Sequence, residues 1–546
     1  MRPSVPFAFA LLAALVGCDD DPVTTGSGSS GSSTSTGSMG STTLTLPQFV
    51  HGAAYVDGAL NPSAPIVVAA MGTAPEAVEV SVDGVVSAAT ADGDRFVATV
   101  DAAALADGKH PLVVTAKIGG APVATLEASL TSAKGSLPYT TFAKDGPAYG
   151  GHLVHDAAED ALYHSWISIV GGKHQLSMNR LDGAFERLDA SDTILNAPGD
   201  EPLNGYTAFG PGGIGVVYRT AKAGDPHWSV KLRVVDKTGA EKVPAQDLTG
   251  DGASFSMQQA GADANGFSAA WLHITPTTDP NAPPPVEVRF ARFDTTKGTL
   301  SGPITLDADG PDAGDGPQRL EPLGELGVAC NATICLVSYS RQKFDSLVAP
   351  NVPKLYLATV DLATGGMVGS PVAVADKSWD TQLFGHHLVA LADGSFRLIY
   401  TANDTKAAVT PKSPCDETLE RDLLNAVDLD ATGKIVGRRV VFDFEGSRQY
   451  PRIAPHPAGF AMLWEDQRSE CGPNGHIRMA VNVGPPGLDA LLDPYVELPG
   501  SVGLPPEDPT LATVGTNVLL GWSDNRHGNG LLDPKNEIFL DTYWRP

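Results

Sequence analysis

Basic residues are scarce in this chain of 546 residues: 37 Lys and Arg stand against 63 Asp and Glu, a formal net charge of −26 with 13 His neutral. A surface that acidic repels phosphate backbones, so no nucleic acid is expected as a partner; it suits solubility, cations or basic partners. Charge of either sign is itself sparse at 18%, whereas Gly (59) and Pro (43) are plentiful. That mix fits a turn-rich, β-rich exported chain better than a helical cytosolic one. Long apolar runs are missing as well. Phe7 to Val16 is continuous but too short to span a bilayer, and no longer stretch follows it. Catalytic signatures are also absent. There is no G-x-S-x-G elbow, no H-E-x-x-H and no Gly-rich phosphate loop closed by Lys-Ser/Thr.

Cysteine is rare, with five in all. Cys18 follows the apolar run and a positively charged Arg2, the layout of a signal peptide. Leu15-Val16-Gly17-Cys18 resembles the lipobox of bacterial lipoproteins. The resemblance implies cleavage before Cys18 and acylation there, giving a membrane partner through a lipid anchor and a place in the bacterial cell envelope, facing away from the cytoplasm. Asp19 to Asp21 raises inner-membrane retention as an alternative to the outer membrane. Residues 1–18 are thus the leader and lipidated Cys. Residues 19–43, mostly Ser, Thr and Gly, bury too little to order themselves and serve as a tether of about 25–30 Å root-mean-square span. The four remaining cysteines allow three pairings. The hairpin-sized gap favours Cys330–Cys335, which leaves Cys415–Cys471; spacing unlike C-x-x-C, without a His cluster, argues against zinc.

Residues 44–133 read as a small sandwich of short antiparallel strands. Val78/Val80/Val82, Phe96/Ala98/Val100 and Leu112/Val114/Ala116 alternate with period two, beside the turns Asp83-Gly84, Asp92-Gly93 and Asp107-Gly108. Val80-Ser-Val-Asp-Gly84 and Leu105-Ala-Asp-Gly-Lys-His110-Pro-Leu-Val-Val114 resemble bacterial immunoglobulin-like domains, which implies a spacer or adhesive module.

Over residues 137–546 one pattern recurs: two alternate residues, mostly apolar, then an aromatic. It reads Leu162/His164/Trp166, Ile214/Val216/Tyr218, Phe267/Ala269/Trp271, Cys335/Val337/Tyr339, Phe396/Leu398/Tyr400, Phe460/Met462/Trp464 and Val518/Leu520/Trp522. Ten positions before the aromatic stand Ala208, Gly261, Ala329, Ala390, Ala454 and Ala512, with Asp156 in the first copy. In a propeller the inner strand of a blade faces a crowded axis that admits small side chains, and the next strand carries bulk against its neighbour. The fold class expected is therefore all-β: a small immunoglobulin-like β-sandwich followed by a seven-bladed β-propeller closed by an N-terminal strand. Tyr139 to Ala143 is expected beside Ile538 to Thr542, sealing the last blade. A six-bladed ring with a stray unit, or an array of sandwiches, is the competing architecture. Third strands such as Val230/Leu232/Val234 run into Asp-rich turns, among them Asp236-Lys-Thr-Gly239 and Asp430-Ala-Thr-Gly433.

Connections at one end of the expected ring are long, including Thr275–Pro285, Arg341–Pro353, Ala402–Arg421, Asp466–Gly475 and Asp524–Glu537. Long loops on a rigid scaffold are the natural binding face. On it stand Trp464-Glu-Asp466-Gln-Arg468 and Trp522-Ser-Asp524-Asn-Arg526, a W-x-D-x-R signature that resembles repeats of bacterial secreted propeller proteins. Asp466, Arg468, Asp524 and Arg526 either present charge to a polar ligand or cap and pair internally; repetition in two blades favours the internal role. Asp307, Asp309, Asp312 and Asp315 form an oxygen-rich run that would suit Ca²⁺ but lacks the closing Glu of an EF-hand; Asp524, Asp533, Asn536 and Glu537 form a weaker one. His152, His155, His386 and His387 fall on inner strands near the axis, where a hydrogen-bonded channel role competes with proton chemistry. With Tyr206 and Arg452 they mark where an enzyme's site would lie. No sialidase box S-x-D-x-G-x-T-W is present. The function expected is a monomeric, non-catalytic binding or scaffold module with a protein or glycan ligand. A propeller hydrolase or lyase acting on extracellular polysaccharide, with or without the assistance of Ca²⁺, is the alternative.

Overall fold

The computed structural model describes residues 41–139, 148–221, 228–250, 253–275, 285–312, 316–320, 325–343, 353–374, 383–403, 422–442, 448–466, 478–484, 496–498, 507–524 and 537–544. Every regular element among them is a strand, and none is a helix. Alternation of apolar residues with Asp-Gly turns accounts for the first two sheets. Val78, Val80 and Val82 of Ala77–Val82 turn inward, and Asp83 and Gly84 take positive φ (51° and 81°) to return the chain into Val85–Ala88. One sheet joins Thr43–Thr45, Ser63–Met71, Arg95–Asp101 and Thr90–Asp92. The other joins Ala53–Asp57, Ala121–Ala133, Gly108–Ile118, Ala77–Val82 and Val85–Ala88. Ala53–Asp57 runs parallel to Ala121–Ala133, and the two sheets share one apolar core.

The rest of the chain builds four-stranded antiparallel units one after another. The unit Ala148–Asp156, Ala161–Val170, Lys173–Leu181, Thr193–Ile194 sets the pattern, with each strand paired to the next. First strands of the successive units are Ala148–Asp156, Pro202–Gly210, Ala253–Asp263, Leu326–Cys330, Leu383–Ala390, Arg448–His456 and Glu507–Val514. They lie side by side in that order, and Glu507–Val514 comes back against Ala148–Asp156. This is a β-propeller-like arrangement with the first strands innermost. Ala208, Gly261, Ala329, Ala390, Ala454 and Ala512 all lie on these strands and line the axial cavity. A Cβ added at Gly261 would come within 2.5 Å of Val328 Cγ1, so bulk is excluded there by the neighbouring inner strand.

Second strands carry the repeated aromatics, and Trp166, Tyr218, Trp271, Tyr339, Tyr400, Trp464 and Trp522 are all buried. Each packs on the third strand of the preceding unit: Trp271 with Val230, Leu232 and Val234, Trp464 with Leu424 and Ala426, Trp522 with Met479 and Val481. Burying a side chain of that size contributes roughly 1.5–3 kcal/mol, repeated at every seam. Trp166 packs with Ile538 and Leu540 of the last unit, so the same contact joins the two ends of the series.

The closing strand differs from expectation in its bounds. Leu137–Tyr139 pairs with Ile538–Leu540, antiparallel, and only Tyr139 of the expected segment belongs to it. Residues 140–147 lie outside the described residues. The earlier start follows from the exit of Ala121–Ala133 from the sandwich, which delivers the chain directly to Glu537–Trp544. The sandwich also grips this seam. Tyr55 and Val50 join the core formed by Trp166 and Leu540, Tyr55 N–H donates to Gly183 O (2.8 Å), and Trp544 enters the sandwich core.

Tight turns behave as their composition requires. Asp236 Oδ1 accepts from Thr238 N, Thr238 Oγ1 and Ala240 N, and Asp430 Oδ1 repeats the arrangement with Thr432 and Lys434. Cys330 and Cys335 are bridged, directly opposite each other across a hairpin. Cys18, Cys415 and Cys471 lie outside the described residues.

Candidate functional site

The register places the site. Ala253, the start of an inner strand, pairs with Ile274, the end of a second strand, which pairs in turn with Val286, the start of a third. Arg448, Asp466 and Arg478 line up likewise. The long second-to-third connections therefore emerge at the end where the inner strands begin. At that end a cavity of about 280 Å³ opens on the axis, and one of about 500 Å³ continues behind it. His152, His387 and Arg452 line both.

Four strands deliver the titratable groups of the front cavity that they contain. Ala148–Asp156 supplies His152, Pro202–Gly210 supplies Tyr206, Leu383–Ala390 supplies His386 and His387, and Arg448–His456 supplies Arg452. Glu325, just ahead of Leu326–Cys330, adds a carboxylate. His152 Nδ1 lies 2.9 Å from Thr207 O, and its ring meets Tyr206 edge-on at 6.2 Å. His387 Nδ1 accepts the backbone N–H of Ile453 at 3.2 Å. Glu325 Oε2 accepts the backbone N–H of His386 at 2.8 Å, while its Oε1 faces Arg452 NH2 at 3.5 Å. Arg452 NH1 also donates to Pro451 O.

Burial holds these imidazoles below their ordinary titration range. His152 and His386 are shifted down by burial, and His387 is driven well below, with Arg452 adding to the effect. Behind them His164 is pushed down to about 3 by burial, then by His152 and Arg187; its ring stacks on Trp166 at 5.2 Å. Gly151 makes room for it, since a Cβ there would stand 3.1 Å from His164 Nε2. The result at neutral pH is a set of uncharged imidazoles around one guanidinium–carboxylate pair, able to donate and accept hydrogen bonds without net charge.

Of the residues singled out in the sequence, His152, His386, His387, Tyr206 and Arg452 come together. His155 does not: it points down the rear cavity, with Nε2 3.6 Å from Asp160. Asp524 is buried and accepts the indole N–H of Trp522 at 3.1 Å, within its own strand; the turn that follows it lies outside the described residues. The side chain of Asp466 and all of Arg468 and Arg526 lie outside the described residues. Asp307 accepts from Tyr339 OH (2.6 Å), Arg341 and Ala308 N, and Asp309 takes Val286 N and Leu320 N. Both carboxylates are thus engaged by protein donors; Asp315 and the side chain of Asp312 lie outside the described residues. Among the described residues no group of three or more His, Cys, Asp or Glu is placed to hold a metal ion.

No family model matches this chain, and no curated protein does. Among solved structures it is similar to hydrazine synthase of Kuenenia stuttgartiensis, at 13% identity over 75% of this chain and 99% of that one, with a TM-score of 0.39. A polysaccharide lyase, ulvan lyase, bound to -[GlcA(1-4)Rha3S]- aligns at 12% identity over 74% and 95%, with a TM-score of 0.43. The β-propeller domain of the trilobed protease of Pyrococcus furiosus aligns at 8% identity over 74% and 96%, with a TM-score of 0.36.

Sequence reasoning missed two members of the cluster. Glu325 directly precedes the inner strand Leu326–Cys330, and nothing local marks its carboxylate as turned to the axis. His164 carried a usable signal: it is the single polar residue at the middle position of the aromatic repeat.

Proposed function

We propose that the chain is a lipoprotein of the bacterial envelope, surface-exposed or periplasmic, tethered through acylated Cys18 and the 19–43 linker. In this reading residues 44–133 are an immunoglobulin-like spacer, and residues 137–546 are a seven-bladed propeller closed by its N-terminal strand. It acts as a monomer and as a non-catalytic recognition module, holding a glycan or protein ligand at the loop-rich end of the axis. The observation that carries this reading is the convergence of His152, Tyr206, Glu325, His386, His387 and Arg452 on one axial cavity. Few, well-placed polar groups in a concave site at the mouth of a rigid scaffold are what ligand recognition requires. Calorimetric titration of the full chain with a saccharide and protein panel tests it. Arg452→Ala and His387→Ala should weaken binding about tenfold or more; unchanged affinity in both overturns the reading.

A second reading, a hydrolase or lyase on extracellular polysaccharide, draws on the same imidazoles beside Tyr206. Neutral histidines are competent to exchange protons with a substrate. Product release from a bound polysaccharide, abolished by His386→Ala and His387→Ala, would favour it over binding alone.

A further inference from the structure

We infer that the axial pocket recognises an uncharged, hydroxyl-bearing sugar residue rather than a uronate or sulfated one; this rests on the recognition reading above and specifies its ligand. Three observations carry the inference.

His152 and His387, the two imidazoles that line both the front and the rear cavity, are held in opposite tautomers by the backbone. Thr207 O accepts from His152 Nδ1, so the proton of that neutral ring sits on Nδ1 and Nε2 keeps its lone pair. Ile453 N–H donates to His387 Nδ1, so the proton of that ring sits on Nε2. Neither ring is fully covered, and both line the front cavity. These two rings thus offer the pocket one acceptor and one donor. A hydroxyl, which both donates and accepts, satisfies such a pair; a carboxylate or sulfate, which only accepts, leaves the His152 lone pair facing another lone pair.

Arg452, the one cation among the described residues lining the pocket, is already balanced. Arg452 lies against Glu325, and Glu325 is in turn fixed by the His386 backbone N–H. An anionic ligand would have to displace or face that carboxylate, in a chain whose formal net charge is −26. Tyr206, edge-on to His152, adds an aromatic surface to the same wall. Aromatic side chains present an apolar face with a polar tip, a match for the C–H face and rim hydroxyls of a sugar ring.

The test is calorimetric titration of the full chain with matched pairs: neutral gluco-, xylo-, galacto- and arabino-oligosaccharides against oligogalacturonate, oligoglucuronate and a sulfated galactan oligosaccharide. At least one neutral probe should bind, weakened about tenfold or more by His387→Phe and by His152→Phe. His387→Gln, which restores an N–H donor, should recover part of the loss. Glu325→Gln releases the Arg452 charge while keeping an acceptor for His386 N–H, and should raise uronate affinity; this gain also reports an intact fold. Uronate or sulfated probes binding wild type in preference to neutral ones would overturn the inference and leave the recognition reading standing. If no saccharide binds, or binding ignores the His152 and His387 substitutions, the inference falls; the recognition reading falls with it where no protein ligand binds either, or where Arg452→Ala and His387→Ala leave affinity unchanged.

Discussion

Asn61 of the sandwich clasps the last strand of the chain: its side-chain carbonyl accepts Trp544 N–H at 3.3 Å and its amide donates to Thr542 O at 3.2 Å. One buried side chain thereby completes two backbone groups on the strand that also pairs with Leu137–Tyr139. Asn61→Leu should cost about 2–4 kcal/mol, since it leaves a buried donor and a buried acceptor unpaired. Urea unfolding read by Trp fluorescence checks this, and a loss below 0.5 kcal/mol would count against the clasp.

The histidines predict acid lability. His152, His164, His386 and His387 all have folded-state values below the ordinary 6.5, and His273 is pushed down to about 4 by burial. A group depressed on folding takes up protons in the unfolded chain first, so stability falls as pH drops below 6.5. For His164 the fall is about 1.4 kcal/mol per pH unit down to about 3. Thermal melts between pH 7 and 4 should show a steep decline, shallower in His164→Phe, which keeps the stack on Trp166.

Acids at the seam work in the opposite direction. Asp541 is held well above 3.8 by burial and then by Asp57, which is itself raised by burial. Their contribution to stability is full below 3.8 and is lost as pH rises through the raised folded values. Asp541→Asn should therefore match wild type near pH 4 and exceed it by about 1–3 kcal/mol at pH 8. Equal stability of the two at pH 8 would show that Asp541 carries no such strain.

Gly183 is where the ring's first unit meets the sandwich. A Cβ there would stand 2.1 Å from Ala53 O and 3.0 Å from Val50 N, both backbone atoms that cannot swing aside. Gly183→Ala should destabilise by about 2–4 kcal/mol and loosen the sandwich. Faster hydrogen exchange at Tyr55 N–H, now bonded to Gly183 O, would be the local sign.

Much of the fold is written in short-range pattern. Val78, Val80 and Val82 announce their strand by period, the Asp236 and Asp430 turns by a carboxylate followed by Thr and Gly, and Cys330–Cys335 by a hairpin-sized gap. The aromatic repeat goes further: Trp271 or Trp464 at a fixed offset from Gly261 or Ala454 encodes both the axis and the seam. What stayed hidden depends on groups brought together from far apart. Asn61 reaches Thr542, Tyr55 reaches Gly183, and Glu325 meets Arg452, none with a neighbour in sequence to hint at it. The histidines at the axis were legible because inner-strand position follows from the repeat. Their tautomers were not, because those are set by the carbonyl of Thr207 and the N–H of Ile453 on adjacent units.

Closure by Leu137–Tyr139 ties completion of the ring to the order of synthesis. That strand leaves the ribosome early and waits for Ile538–Leu540, some four hundred residues later. Until then Trp166 lacks its last-unit neighbours and a bare strand edge stands open at each end. A chain truncated within its final strand would thus forfeit the seam rather than a few residues. The strand Glu537–Trp544 is the place where an unclosed molecule is told apart from a closed one.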